Sequence, residues 1–207
     1  MKFKDKLKFY VITDNNYSNE VVSVEEALKG GASSIQLRMK NSTTREMIEV
    51  GNELRKLTLE YDALFFVNDR LDVAQVVNAD GIHVGIDDMP VSKIKEIAPN
   101  LIIGASAYNM EEMKTAESEG ADYLGVGAVY STNTKLDARN LGIDGLKSIS
   151  KLSKLPIVAI GGINHSNVQN VLECGVSGVA VVSAIVGAEN ILKSAENMNE
   201  LIKKYIK

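Results

Sequence analysis

The chain has 207 residues, 45% of them hydrophobic and 24% charged, with a net charge of −4 at pH 7. That is the size and composition of one globular domain spanning residues 1–207, long enough to bury a sizeable core. The acidic balance supplies no global basic field for nucleic acid or an anionic membrane, so a phosphorylated ligand must be met by local cations. A lone cysteine, Cys174, excludes an intramolecular disulfide and a multi-cysteine metal site. No stretch approaches the roughly 20 apolar residues of a membrane span. The run Phe9 to Ile12 after the basic start is too short for a signal-peptide core, so the expected location is the cytoplasm.

Strand and helix patterns alternate along the whole chain. Candidate strands begin near Phe9, Ser33, Leu64, Gly81, Ile102, Tyr123, Pro156 and Gly178. Their Val/Ile-rich runs are nearly continuous, as in strands buried on both faces. Between them, Thr44 to Tyr61 places Met47, Val50, Leu54 and Leu57 on one helical stripe. Asn109 to Gly120 and His165 to Gly175 read as amphipathic helices, the latter with Cys174 as a small buried residue. Asn190 to Lys207 reads as a closing helix with a charged outer face.

A helix end, a small-residue turn and a new strand recur four times, at Gly30-Gly31-Ala32-Ser33, Asn78-Ala79-Asp80-Gly81, Gly120-Ala121-Asp122 and Gly175-Val176-Ser177-Gly178. Glycine suits the left-handed position after a helix. Eight βα units in about 200 residues predict an α/β fold, a compact (β/α)8 TIM barrel. The competing doubly wound open sheet would carry G-x-G-x-x-G after its first strand; Thr13-Asp14-Asn15-Asn16 stands there instead.

Most of the strands run into a polar or glycine cluster, and in parallel α/β proteins that end is where ligands bind. The last two clusters, Gly161-Gly162-Ile163-Asn164 and Val182-Ser183-Ala184, suit a phosphate held by backbone N–H groups and a helix start. The competing reading is a tight turn that needs glycine for packing. Asp69 ends the third strand, and Asp87 and Asp88 follow the fourth. If those strands are neighbours the carboxylates converge, and with substrate phosphates they suit Mg²⁺. Otherwise they cap the helices that follow.

Arg38, Lys40, Arg70 and Lys135 fall at strand ends on one expected rim, where cations can grip a diphosphate. Singly, each reads as a solvated surface charge. Gln36, Asn68, Ser106, Thr132 and Thr134 add hydrogen-bonding groups of a kind also common in turns. His83 alternates with Ile82 and Val84 and is expected in the barrel interior as a hydrogen-bonded core histidine. His165 is expected to cap a helix. There is no nucleophile elbow, no H-E-x-x-H and no serine–histidine–acid order, so the clusters point to metal-assisted handling of a diphosphate rather than acyl transfer.

Taken together, these clusters resemble the thiamine phosphate synthase family. The resemblance runs from Tyr10-Val11-Ile12-Thr13-Asp14 through Gln36-Leu37-Arg38-Met39-Lys40, Asn68-Asp69-Arg70-Leu71-Asp72 and Ala79-Asp80-Gly81-Ile82-His83-Val84-Gly85. It continues through Thr132-Asn133-Thr134-Lys135 and Ala159-Ile160-Gly161-Gly162-Ile163 to the run from Val179 to Ile185. Each segment is weak alone; the ordered set is specific. It implies a transferase that joins a pyrimidine diphosphate to a thiazole phosphate and releases diphosphate.

On that resemblance Gln36, Arg38, Lys40, Asn68, Ser106 and Lys135 would hold the pyrimidine diphosphate. Asp69 and Asp88 would bind Mg²⁺. Thr132, Thr134, Gly162, Val182 and Ser183 would hold the thiazole phosphate, with Leu37, Met39 and Asn133 counted among the substrate-binding residues. Arg38, Lys40 and Lys135 would be catalytic, stabilising the leaving diphosphate. The implied partners are these small molecules, with neither nucleic acid nor membrane; a homo-oligomer stays open. Ile86 stands where the family usually has Gln, Tyr108 where His is common, and Ala128 and Ser131 where Pro is common. A thiazole tautomerase of the same superfamily, or a non-catalytic thiazole-phosphate binding protein, are the alternatives. The paired acids and the Thr-x-Thr-Lys set argue against both.

Overall fold

A computed structural model of the chain describes residues 3–131 and 140–206. A 3-10 turn at Phe3–Lys6 leads into β1 (Phe9–Ile12), α1 (Glu20–Lys29), β2 (Ser34–Leu37) and α2 (Thr44–Glu60). Next come β3 (Leu64–Asn68), α3 (Leu71–Val76), β4 (Gly81–Val84), α4 (Val91–Ile97), β5 (Ile102–Ala107) and α5 (Met110–Glu119). The second half continues with β6 (Tyr123–Val126), α6 (Gly142–Leu152), β7 (Ile157–Ile160), α7 (Val168–Leu172), β8 (Gly178–Val181), α8 (Ser183–Val186) and α9 (Ile191–Tyr205). The strands close in sequence order, each parallel to its neighbours, with β8 returning to β1. This is the predicted (β/α)8 barrel, and every strand starts within one residue of its expected position. No helix among the described residues is long and apolar enough to cross a membrane.

The strands read as continuous apolar runs because their two faces meet two different apolar layers. Val11, Ile35, Leu37, Phe65, Val67 and Ile82 point outward into the sheet–helix core. Tyr10, Ile12, Leu64, Phe66, Tyr123, Val158 and Ala180 point inward and fill the barrel. Tyr10 stacks on Phe66 at 5.3 Å, and Phe66 meets Tyr123 edge-on at 5.5 Å. Glycines opposite make the room. A Cβ on Gly81 would stand 2.6 Å from the Phe66 ring, one on Gly104 2.1 Å from Tyr123 Cζ, and one on Gly125 2.7 Å from the His83 ring. Bulk on β3, β4 and β6 is thus matched by its absence at glycines of β4, β5 and β6, which keeps the interior close-packed.

On α2 the buried stripe is Met47, Gly51, Leu54 and Thr58, with the expected Val50 and Leu57 at its margin. The stripe is rotated because two of its members are not apolar by type. A Cβ on Gly51 would meet Val77 at 2.9 Å, so glycine permits close approach there. Thr58 can be buried because its hydroxyl donates to Arg55 O at 3.0 Å. Cys174 is buried as expected, but in the turn after a shorter α7.

The four-fold repeat has a structural counterpart. Gly31, Asn78, Gly120 and Gly175 all adopt positive φ, at 99°, 52°, 93° and 78°. Just beyond them, the N–H groups of Ser33, Asp80, Asp122 and Ser177 donate to the carbonyls of Phe9, Phe65, Ile103 and Ile157 at 2.7–2.9 Å. In three cases the side chain also accepts the N–H of that same residue: Ser33 Oγ from Phe9, Asp80 Oδ2 from Phe65, Asp122 Oδ2 from Ile103. Lys95 of α4 adds an ion pair to Asp122 at 2.8 Å.

Asp122→Ala strips Ile103 N–H of its acceptor and is expected to cost about 1–3 kcal/mol, at roughly 2–4 °C of Tm per kcal/mol for a chain of this size. Asp122→Asn keeps an acceptor oxygen and should recover most of the loss in the same thermal melt. Equal melting of the alanine variant and the parent would refute this role.

Candidate active site

The barrel mouth at the C-terminal ends of the strands is a cavity lined by most of the predicted site residues, and its most unusual feature is a carboxyl pair. Asp69 follows β3 with a φ of 62°, a conformation uncommon outside glycine. Its N–H donates to His83 O at 2.9 Å, extending the β3–β4 pairing by one residue. Asp88 comes back from the loop after β4, its Oδ2 accepting from Gly85 N–H at 2.7 Å. The two carboxyls are close enough to interact directly. Burial first, and the Asp88 carboxyl second, push Asp69 up from the usual 3.8 to about 6, against the opposing pull of Lys40 and Asn68. Neither acid caps a helix. The cap positions of α3 and α4 are Arg70 and Pro90, neither with a side-chain cap bond, and the first N–H of α4, Val91, donates to Glu119 Oε2 at 3.0 Å.

These acids fit a hard cation. Two carboxylates held together share a proton because both cannot ionise cheaply, and a divalent ion relieves the same repulsion. No third His, Cys, Asp or Glu joins them among the described residues, so an ion here would draw its remaining ligands from water or substrate oxygens, the pattern Mg²⁺ accepts.

Beyond β2 the chain keeps alternating. Gln36, Arg38 and Lys40 line the cavity, whereas the side chains of Leu37 and Met39 turn into the sheet–helix core. Those two can offer a ligand only backbone groups. Arg38 is steered from β1: Thr13 Oγ1 accepts its N–H at 2.9 Å, and the buried Asp14 carboxylate stands 3.7 Å from the guanidinium. In the sequence the Thr13-Asp14 segment stood where a dinucleotide fingerprint is absent and opened the family resemblance, with no role assigned to either residue. Arg70, expected on the same rim, lies off the cavity. It donates to Asp72 (Nε to Oδ1, 2.9 Å) and to Thr44 Oγ1 at 2.9 Å, so its solvated-charge reading holds.

At the other side of the mouth, Gly161 and Gly162 have φ of 104° and 62°. A Cβ on the first would meet Ala128 Cα at 2.5 Å, and on the second Ser131 O at 2.6 Å. The packing-turn reading is therefore correct, and the same turn lines the cavity. Val182 and Ser183 line it too, at the start of α8. Thr132, Asn133, Thr134 and Lys135 lie outside the described residues. Of the departures from the family pattern, Tyr108 and Ala128 line the cavity, while Ile86 is 51% exposed and does not.

The floor of the cavity was not anticipated. Gln36 Nε2 donates to Tyr10 OH at 3.0 Å, Tyr10 OH meets Tyr123 OH at 3.1 Å, Tyr123 OH meets His83 Nδ1 at 3.1 Å, and His83 Nε2 meets Ser106 Oγ at 3.1 Å. Burial pushes both phenols well above their ordinary range, so each keeps its proton. His83 is thus both the interior, hydrogen-bonded histidine expected and part of the cavity wall. His165 does not cap a helix: its Nε2 lies 2.9 Å from Ser194 O in the first turn of α9.

A closed parallel barrel with its chemistry gathered at one mouth defines a (β/α)8-barrel enzyme. A family model described as thiamine monophosphate synthase matches residues 9–185. The chain is 89% identical over 207 residues to the thiamine-phosphate synthase of Methanococcus maripaludis, with the whole of both chains covered. To that of Pyrococcus horikoshii it is 56% identical over 206 residues, again covering 100% of each. The solved thiamine phosphate pyrophosphorylase of Pyrococcus furiosus superimposes with a TM-score of 0.96 at 54% identity over the full length of both. The chain belongs to the thiamine monophosphate synthase family and is an enzyme of thiamine phosphate synthesis.

Proposed function

We propose that the enzyme condenses an aminopyrimidine bearing a diphosphooxymethyl group with a thiazole bearing a phosphooxyethyl group, or its carboxylated form, giving thiamine phosphate and diphosphate. The observation that carries this reading is the meeting of Arg38, Lys40, Asp69 and Asp88 at one mouth, across from the Gly161-Gly162 turn and the start of α8. One side suits a diphosphate and the other a second phosphate.

Gln36, Arg38, Lys40, Asn68, Ser106 and Lys135 hold the pyrimidine diphosphate. Thr132, Thr134, Gly162, Val182 and Ser183 hold the thiazole phosphate. Asp69 and Asp88 would hold Mg²⁺, which when bound supplies positive charge beside the diphosphate. The methylene C–O bond breaks, the electron pair leaves with diphosphate, and the aminopyrimidine ring delocalises the remaining cation. Arg38 and Lys40 stand at the mouth where the negative charge grows, and Lys135 is assigned the same role. The thiazole nitrogen then forms the new C–N bond, and no protein nucleophile is needed. Alignment of the two substrates can contribute roughly 7–11 kcal/mol in favourable systems.

The test is direct. Purified protein with both substrates and Mg²⁺ is expected to release thiamine phosphate and diphosphate in equal amounts. No thiamine phosphate would overturn the reading; isomerisation of the thiazole alone would replace it with a tautomerase. Lys135→Ala is expected to slow the single-turnover rate severely, and an unchanged rate would remove that residue from the mechanism.

A further inference from the structure

A single hydrogen-bond chain crosses the barrel floor from Gln36 on β2 to Ser106 on β5, through Tyr10, Tyr123 and His83. Its two ends line the cavity, and its links are buried, Tyr10 at 1%, Tyr123 at 0% and Gln36 at 3% exposure. The number of protons in it is fixed. An amide nitrogen only donates, each phenol has one proton, and a neutral imidazole has one. Gln36 Nε2 donates to Tyr10, so the Tyr10 proton goes to Tyr123, and the Tyr123 proton goes to His83 Nδ1. His83 then carries its proton on Nε2 and donates to Ser106 Oγ, whose own proton is left for the cavity. The cavity therefore meets an acceptor, Gln36 Oε1, at one end and a hydroxyl donor at the other.

The opposite sense needs every member to reverse together, amide, both phenols and histidine tautomer. Reversing only part of the chain leaves a buried donor or acceptor unpaired, a desolvation cost with nothing to offset it. The members also have little space in which to rearrange. Backbone at Gly104 and Gly125 closes against the Tyr123 and His83 rings, and Phe66 packs against both tyrosines.

We propose that Tyr10, Tyr123 and His83 are positioning residues that set the hydrogen-bonding sense of Gln36 and Ser106, and so select an aminopyrimidine over its oxo counterpart. An aminopyrimidine presents an amino donor and a ring-nitrogen acceptor, which match the two ends as they stand. The oxo compound presents a carbonyl acceptor and a ring N–H donor, the reverse pair. This selection rests on the reading that Gln36 and Ser106 meet the pyrimidine.

Two measurements test it. In the ligand-free protein, long-range ¹⁵N–¹H NMR of labelled histidine is expected to show His83 protonated on Nε2 with Nδ1 bare; a proton on Nδ1 overturns the sense of the chain. Calorimetric titration with the amino and oxo pyrimidine diphosphates is expected to show a wild-type preference of roughly 10- to 100-fold for the amino compound. Tyr123→Phe, which keeps the ring, should bring the two affinities to within about threefold, and Tyr10→Phe should do the same from the other side. Retained preference in both variants, or none in the wild type, overturns the proposal. Failure of the functional reading looks different: no thiamine phosphate is formed while the amino preference persists.

Discussion

Asp88→Asn is expected to lower turnover by on the order of 100-fold and to remove most of its response to added Mg²⁺. The cause is the shared position of the two carboxyls. Asp69 is raised to about 6, first by burial and then by Asp88, so the folded protein binds that proton more tightly than the unfolded chain does. Such a contribution to stability is complete below about pH 4, the unfolded value, and is lost as pH rises through about 6. Above that, Asp69 loses its proton beside Asp88, and on the proposed role a divalent cation would take over what the proton did. Thermal stabilisation by saturating MgCl₂ should therefore be large at about pH 7.5 and small near pH 5. The asparagine variant should lose the dependence on the ion, because one of the two charges is gone, and keep the part of the pH dependence that burial of Asp69 sets. Melting curves with and without Mg²⁺ across this range decide the matter; the same Mg²⁺ shift in variant and parent would remove the pair from metal binding, as would full activity in EDTA.

The second large effect is expected from a residue that touches no ligand. In Gly104→Ala the new methyl would lie 2.1 Å from Tyr123 Cζ, 2.4 Å from its hydroxyl and 2.5 Å from His83 Nδ1. None of these can move without disturbing the packed rings beside it. Overpacking of this kind costs about 1–3 kcal/mol. More consequential is the displacement of Ser106 and Gln36 through the floor, since a misplacement of about 1 Å can cost roughly 100-fold in rate. Gly120→Ala is the control. Its φ of 93° makes the substitution cost about 1–2 kcal/mol of stability, but nothing lies closer to the new methyl than Lys95 at 3.9 Å, so kcat/KM should hold. Loss of equal size in both variants would mean that the floor has no special part in turnover.

Strand positions were legible because runs buried on both faces are continuous and a small-residue turn marks four of the eight starts. Three long helices were legible too, α2, α5 and α9, whose starts are capped by the side chains of Thr43, Asn109 and Asn190; α1 and α6 were not read. Helices as short as α3, α7 and α8 have too few turns to show a period. The charged part of the mouth could be read from strand ends alone, and Asp69 and Asp88 needed only the correct guess that β3 and β4 are neighbours. Arg70 misled because an acid two residues on, Asp72, takes up its guanidinium. The tyrosine floor was hidden for the reason the strands were plain. In a run apolar throughout, nothing marks which alternate positions face inward, and a phenol in it looks like any other large hydrophobe. Only the register that sets Gln36 beside Ile12, and Gly104 beside Tyr123, brings those hydroxyls to one level.

The latches at the barrel's N-terminal face have a consequence for how the molecule can be taken apart. Each one joins an odd strand to the even strand that follows it, closing separations of 24, 15 and 19 residues in the three with side-chain bonds. Loops this short close at small entropic cost, so each strand–helix–strand quarter carries its own clasp. A break in the α4–β5 connection severs none of them and leaves two clasped quarters on either side. A break within α3 or α5 opens one. The barrel is therefore a ring of four segments that each close on themselves, and complementing half-barrels are to be sought by cutting the middle connection, which opens none of them.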